Sequence, residues 1–163
     1  MRISISAACF VDVDSFKQIN DVYGHAAGDH LLKVVATRLM SAVREEDVVG
    51  RLGGDEFVVL LDSSAGHAPP DLVAERLVQT LRNPVTFEDG TVASASASVG
   101  IAVGSRRTVD QLLRDADLAL YAAKAAGKDR YMLFEAGMQD AAEQNGAAQI
   151  ASSEHASDGA PRG

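Results

Sequence analysis

The stretch Arg51-Leu52-Gly53-Gly54-Asp55-Glu56-Phe57 constrains this chain most, because it lies between two short apolar runs, Asp47 to Leu52 and Phe57 to Leu61. Such runs on either side of paired glycines predict two strands joined by a tight turn, the glycines supplying backbone angles that other residues rarely adopt. Two carboxylates at the tip of that turn, Asp55 and Glu56, are poorly placed unless something cationic meets them. Metal ligation is the chemical reading and an ordinary Gly-Asp turn the alternative. A second acidic cluster, Asp12 and Asp14, favours the former, since it ends another predicted strand, Ser6 to Asp12. Strand side chains alternate, so Asp12 and Asp14 share a face if the strand continues through them.

The rest of the chain surrounds these two clusters with helices. Phe16, Ile19, Val22 and Tyr23 have helical spacing in a short segment begun by Ser15 or Asp14 as its cap. Gly24-His25-Ala26-Ala27-Gly28 is expected to break that helix, and a longer one follows from about Asp29 to Val43, with Leu31, Leu32, Val34, Val35, Leu39, Met40 and Val43 inward. After the hairpin and a loop over 63–70 comes a helix from Asp71 to Arg82, with Leu72, Val73, Leu77, Val78 and Leu81 inward. Val85 to Phe87 and Thr91 to Val103 pair as a hairpin through Glu88 to Thr91, its second arm a central strand. Val109 to Ala126 is the last major helix, Gly127 its stop, and Arg130 to Phe134 a closing strand. On that helix Leu112, Leu113, Ala116, Leu118, Ala119, Tyr121 and Ala122 form the apolar side, with Tyr121 as core rather than a stacking platform. The predicted class is α/β (α+β), a mixed central sheet of about five strands flanked by helices, with an added hairpin.

Composition narrows the partners. Of 163 residues, 47% are apolar and 23% charged, which suits one domain over 1–135. From Ala136 to the end, 136–163, the Ala, Gln, Ser, Glu and Gly content predicts a disordered tail. A formal net charge of -8 argues against a nucleic-acid surface that neutralises many phosphates, while allowing a small polyanion met locally by metal ions and lysines. No signal peptide and no membrane-length apolar run is present, so the expected location is cytoplasmic. Cys9 has no partner for a disulfide and reads as a small buried strand residue. His25 lacks a second ligand at metal spacing and reads as packing between the short helices.

Neighbouring strands would bring Asp12 and Asp55 together to hold Mg²⁺, whose remaining positions go to phosphate oxygens. Lys124 and Lys128, at i and i+4, would face one way from a helix end and clamp a phosphate tail. That describes a nucleoside-triphosphate site without a Gly-x-x-x-x-Gly-Lys loop.

These motifs resemble, in order, those of the GGDEF family of bacterial diguanylate cyclases. The resemblance rests on Arg51 to Phe57, on Asp12-Val13-Asp14-Ser15-Phe16-Lys17-Gln18-Ile19-Asn20-Asp21, on Gly24 to Asp29, on Ser98 to Ala102 and on Ala116 to Lys124, and it covers about Ser6 to Phe134. The family's fold is like the palm of polymerases and adenylate cyclases. Its members join two GTP molecules into cyclic di-GMP with release of pyrophosphate, each of two facing domains holding one GTP. The resemblance therefore implies a homodimer for turnover and Mg²⁺, or Mn²⁺ in its place, as cofactor.

Carried over residue by residue, the resemblance implies that Asp12, Asp55 and the carbonyl of Val13 ligate the metal. Glu56 lies close to the reacting 3′-hydroxyl or the metals, while Gly53 and Gly54 let the nucleotide lie against the turn. Asn20 and Asp29 read guanine, a carboxylate being able to accept from both its ring N–H and its amino group. Lys124 and Lys128 hold the β- and γ-phosphates, with the amides near Ser15, Phe16 and Lys17 adding donors at a helix N-terminus. Arg44 and Asp47 match the family's Arg-x-x-Asp product-inhibition site, which Arg76 can complete from a neighbouring domain. The other reading of Arg44 and Asp47 is a solvated helix-end charge pair.

Two departures stand against the family pattern. The chain starts too late to contain the family's leading helix and Asp-x-Leu-Thr turn, so a regulatory or dimerising domain is expected to be missing. Lys128 stands where Arg is common, keeping charge but losing the bidentate fork. Beside the active cyclase stand a non-catalytic receptor for GTP or cyclic di-GMP and an adenylate-cyclase-like enzyme, the latter disfavoured by Asp29.

Overall fold

The computed structural model describes residues 4–63, 68–104 and 107–146. Its elements run β1 (Ile5–Val13), α1 (Phe16–Tyr23), α2 (His25–Ala42), β2 (Val48–Gly53), β3 (Glu56–Asp62), α3 (Pro70–Leu81), β4 (Val85–Thr86), β5 (Val92–Ala93), β6 (Ala97–Val103), α4 (Val109–Ala125) and β7 (Tyr131–Leu133). The sequence of β1 explains its place. Ala7, Cys9, Val11 and Val13 are buried on one face and Ala8 on the other, and a strand covered on both faces belongs inside a sheet. It pairs antiparallel with β3 on one edge and with β6 on the other, in a five-stranded sheet of order β2-β3-β1-β6-β7. Only β6 and β7 run parallel, so the sheet is mixed, as expected.

The two faces are covered differently. Odd residues of β1 join Phe57, Val59 and Leu61 of β3 under α1, α2 and α3, with Leu31, Leu39, Leu77 and Leu81 filling the layer. Even residues face α4, where Ala8 and Ala102 meet Leu112 and Ala116. Gly100 lets α4 lie directly on β6: a Cβ there would sit 2.0 Å from the Ala116 carbonyl and 2.2 Å from the Leu120 amide nitrogen. The α4 N-terminus is fixed by a capping box, in which the Thr108 hydroxyl accepts from the Gln111 amide and the Gln111 side chain accepts from the Thr108 amide.

Several expectations change. Gly28 does not break a helix; α2 already starts at His25 and runs through Gly28, whose missing side chain makes room for Asn20 and Phe16 of α1. His25 is exposed instead of packed between helices. Met40, Leu72 and Tyr121 were expected inward but are about half exposed, and on α4 Leu120, Ala123 and Asp115 take inward positions. The apolar stripes of these helices are wide, so periodicity alone sets their rotation poorly. The second hairpin arm divides: β5 pairs with β4, and after Ser94 to Ser96 the chain joins the main sheet as β6. Ser15 precedes α1 in a left-handed conformation, φ 56°, and neither it nor Asp14 caps the helix through its side chain. Residues 137–146 are helical where a structureless tail was expected, in keeping with their Ala, Gln and Glu content; the rest of that tail, and 64–67 of the expected loop, lie outside the described residues.

Candidate active site

The site gathers where β1 ends. In the register Asp12 stands opposite Glu56 on one side and Ser98 on the other, which puts these residues side by side on the face that α4 covers. The Val13 amide donates to the Asp55 carbonyl at 3.2 Å and so holds the β2–β3 turn against the end of β1. Gly53 and Gly54 carry that turn with φ of 145° and 52°, and the Arg51 guanidinium clamps it by donating to the Gly54 carbonyl at 3.0 and 2.7 Å.

Asp12 is the electrostatic centre. Burial pushes its carboxyl up to about 6; the hydrogen bond from Lys124 opposes that rise, and the adjacent Asp55 carboxyl adds to it. The Lys124 ammonium on α4 donates directly to the Asp12 carboxylate. Two buried or half-buried carboxylates are thus adjacent, and the Lys124 ammonium is paired with Asp12. Among the described residues no group of three or more His, Cys, Asp or Glu side chains gathers to hold a metal. Asp12, Asp55 and the Val13 carbonyl are nonetheless a hard-oxygen set with surplus negative charge, which fits Mg²⁺ or Mn²⁺, ions that keep their other positions for water and phosphate.

The two lysines do not share a helix face. Helix α4 ends at Ala125, Gly127 turns with φ 118°, and Lys128 and Asp129 follow with φ of 63° and 49°. Left-handed backbone at a non-glycine residue costs about 1 kcal/mol or more, and surrounding contacts sustain it here. While Lys124 meets Asp12, that turn places Lys128 Nζ 3.4 Å from the Ser15 hydroxyl at the head of α1. There the amides of Phe16 and Lys17 belong to the first turn, whose N–H groups have no intrahelical partner, and the Lys17 side chain is exposed.

The residues assigned to guanine lie on the α1–α2 pair. Asn20 is half-buried against Gly28, where a Cβ would come within 1.8 Å of its Oδ1, and Asp29 is the next residue on α2, exposed. Asp29 borders a groove of about 400 Å³ between α2 and the β4–β5 hairpin, lined also by Tyr23, His30, Lys33 and Phe87. The Tyr23 and Phe87 rings meet on that wall, tilted by 50° with centroids 5.3 Å apart. Asn20 is not among the groove's lining residues.

Arg44 and Asp47 close the turn between α2 and β2. The Asp47 carboxylate accepts from the Arg44 amide at 3.0 Å and from the Asp62 amide at 3.1 Å, so it also ties that turn to the end of β3. Arg76 is exposed on α3, which packs mainly on α2 and β6.

Sequence reasoning missed the support beneath the site. Asp14 is 8% exposed and accepts from the Ser96 hydroxyl at 2.7 Å, the Ser98 hydroxyl at 2.6 Å and the Asp129 amide at 3.0 Å. Asp129 in turn meets Arg82 at the end of α3. The one sequence signal was Asp14's alternation with Asp12; nothing local connected it to Ser98 or Asp129. Cys9 is buried in β1 as expected, and burial raises its thiol to about 12, an unreactive group.

A family model described as diguanylate cyclase, GGDEF domain, matches residues 4–130. Among curated relatives, the diguanylate cyclase TpbB of Pseudomonas aeruginosa is 42% identical over 131 residues, 79% of this chain and 30% of that protein. The bifunctional diguanylate cyclase/cyclic di-GMP phosphodiesterase MucR of the same species is 42% identical over 142 residues, 85% of this chain and 20% of that protein. The chain thus spans under a third of either relative. Among solved structures, the GGDEF domain of TpbB superposes with a TM-score of 0.78 at 39% identity, covering 84% of this chain and 81% of that one. The GGDEF domain of DgcB from Caulobacter crescentus, solved with c-di-GMP, gives 0.66 at 25% identity, covering 78% of each chain.

Proposed function

This chain belongs to the family of GGDEF diguanylate cyclase domains, and from that premise we propose that it condenses two GTP molecules into cyclic di-GMP, with release of pyrophosphate, when two copies face each other. The observation that carries the reading is the Asp12–Asp55–Lys124 cluster: two adjacent carboxylates, one with a raised pKa, at a strand end that α4 supplies with an ammonium. Asp12, Asp55 and the Val13 carbonyl would hold Mg²⁺ or Mn²⁺. Bound there, the ion would supply positive charge to the α-phosphoryl group and favour the attacking alkoxide.

The chain's own residues do the rest. Lys124 would bind the triphosphate when Asp12 is engaged by a cation, and Lys128 would bind it together with the Ser15, Phe16 and Lys17 segment. Gly53 and Gly54 leave open space around the turn, where a Cβ would meet nothing within 4 Å, so a nucleotide can lie against it. Glu56, opposite Asp12 in the register, faces the reacting hydroxyl or the metal. Asn20 and Asp29 discriminate guanine by donating to and accepting from its edge. One copy presents one such half-site, so turnover depends on a homodimer. Arg44 and Asp47, with Arg76 of a neighbouring copy, take the product and slow that encounter.

A second reading is a receptor that binds nucleotide without turnover. It is favoured by the match to NbdA of Pseudomonas aeruginosa, named a cyclic di-GMP phosphodiesterase, at 40% identity over 130 residues. Incubation with GTP and Mg²⁺ across a range of protein concentrations separates the readings. Cyclic di-GMP appearing with a rate steeper than first order in protein supports the cyclase; nucleotide binding by calorimetry with no product at any concentration, or in a forcibly dimerised form, supports the receptor.

A further inference from the structure

Helix α3 ends far from the catalytic carboxylates in sequence, yet its last residues reach the turn that carries Lys128. The Arg82 guanidinium grips Asp129 in two places: Nε donates to the carboxylate at 2.8 Å and Nη2 to the backbone carbonyl at 3.0 Å. The Asp129 amide donates to buried Asp14, which the Ser96 and Ser98 hydroxyls hold in place. Around Lys128 itself, the amide donates to the Ala123 carbonyl at 3.1 Å and the carbonyl accepts from Arg130 Nε at 2.9 Å. Backbone at a left-handed residue returns to commoner angles when its contacts are released. These five contacts hold two consecutive left-handed residues, and the outcome is the placement of Lys128 Nζ beside the Ser15 hydroxyl.

We propose that Arg82 is a positioning residue for triphosphate binding: with Asp14 it clamps Asp129 and thereby fixes the Lys128 ammonium at the head of α1, although it does not itself touch the nucleotide. The inference rests on the reading of Lys128 as a phosphate ligand. It adds that the C-terminal end of α3, the helix that also carries Arg76, sets how well the phosphates are held. The clamp is bidentate and directional, so lysine at position 82 cannot reproduce it.

Calorimetry with Mg²⁺ and a GTP analogue whose α–β bridge cannot be cleaved, compared with GMP, tests this. Lys128→Ala should weaken the analogue and leave GMP nearly unchanged. Arg82→Ala, Arg82→Lys and Asp129→Asn should do the same, by about tenfold for Arg82→Ala, with Asn tolerating the left-handed backbone at position 129. The double variant Arg82→Ala/Lys128→Ala should bind the analogue no more weakly than Lys128→Ala alone, because both substitutions remove one interaction. Fully additive losses, or equal losses for analogue and GMP, would mean that Arg82 supports the fold generally and overturn the proposal. A Lys128→Ala effect without an Arg82→Ala effect overturns this inference and leaves the cyclase reading standing. A Lys128→Ala variant that binds the analogue like the unsubstituted chain overturns the phosphate role of Lys128 and this inference with it.

Discussion

The ammonium of Lys124 rests on the carboxylate of Asp12, two groups 112 positions apart in the chain that meet where α4 crosses the end of β1. Neither group is in an ordinary setting, because Asp12 is 6% exposed and shares its site with Asp55. The Asp12 carboxylate already has a cationic partner, and any cation bound there would compete with Lys124 for it.

The first expectation concerns pH. The Asp12 carboxyl is raised from 3.8 to about 6, so the folded chain holds this proton more tightly than the unfolded chain does. Between those values, stability contributed by this group falls as pH rises, and it is flat above. Mg²⁺ affinity runs the other way, since ligation needs the carboxylate, and the Mg²⁺-induced rise in melting temperature should grow between pH 5 and 7 and then level. In the metal-free protein, carbon NMR should find the Asp12 midpoint lower in Asp55→Asn, which lacks the neighbouring carboxylate that raises it. A midpoint that does not move would remove Asp55 from the site.

Chelation and Asp55→Ala should each abolish product, and Mg²⁺ or Mn²⁺ should restore it only in the chelated protein. Asp55 is half-buried at a turn, so Asp55→Ala should melt within about 1 kcal/mol of the parent. Product from Asp55→Ala at the parent rate, measured by chromatography, would contradict the metal assignment.

Gly28→Ala separates base recognition from general stability. Its Cβ would lie 1.8 Å from Asn20 Oδ1 and 3.2 Å from Phe16 Cζ, so Asn20 must swing away. Because the clash is mainly with the end of a flexible side chain and alanine favours a helix interior by about 1 kcal/mol, stability should change by no more than about 1 kcal/mol, while the preference for GTP over ATP in binding should shrink. At Gly100 the same substitution meets the α4 backbone, which cannot rotate aside, so Gly100→Ala should lower the melting temperature more than Gly28→Ala.

Product inhibition is tested at Arg44, and Asp47 serves poorly. Arg44→Ala should raise the plateau of cyclic di-GMP formation and leave the initial rate unchanged. Asp47→Ala also removes the side-chain hydrogen bonds that the Arg44 and Asp62 amides donate to it and should cost about 1 kcal/mol in denaturant unfolding. An unchanged plateau in Arg44→Ala would make the Arg44–Asp47 turn purely structural.

Much of this was legible locally. Short apolar runs identified β1, β2 and β3, paired glycines identified the turn between β2 and β3, and helical spacing located α3 and α4 to within a residue or two. Helix rotation was less legible: Met40, Leu72 and Tyr121 are apolar residues on partly solvated faces, and only packing decides which part of a wide apolar stripe turns inward. Gly28 was misread for a related reason. A glycine signals either a break or a close approach, and the neighbour that required the approach, Asn20, is on another helix.

The sequence by itself determined most of the element order, the antiparallel hairpin of the Gly-Gly-Asp-Glu turn and the two acidic clusters, because apolar runs, helical spacing and turn chemistry act over a few residues. Tertiary structure decided what those clusters face. Strand register set Asp12 between Glu56 and Ser98, the crossing of α4 over Gly100 delivered Lys124, and the end of α3 fixed the left-handed turn that presents Lys128. Contacts across 84, 112 and 115 positions, Ser98 and Lys124 and Asp129 with the two aspartates, arise from how the layers pack, which no local periodicity encodes.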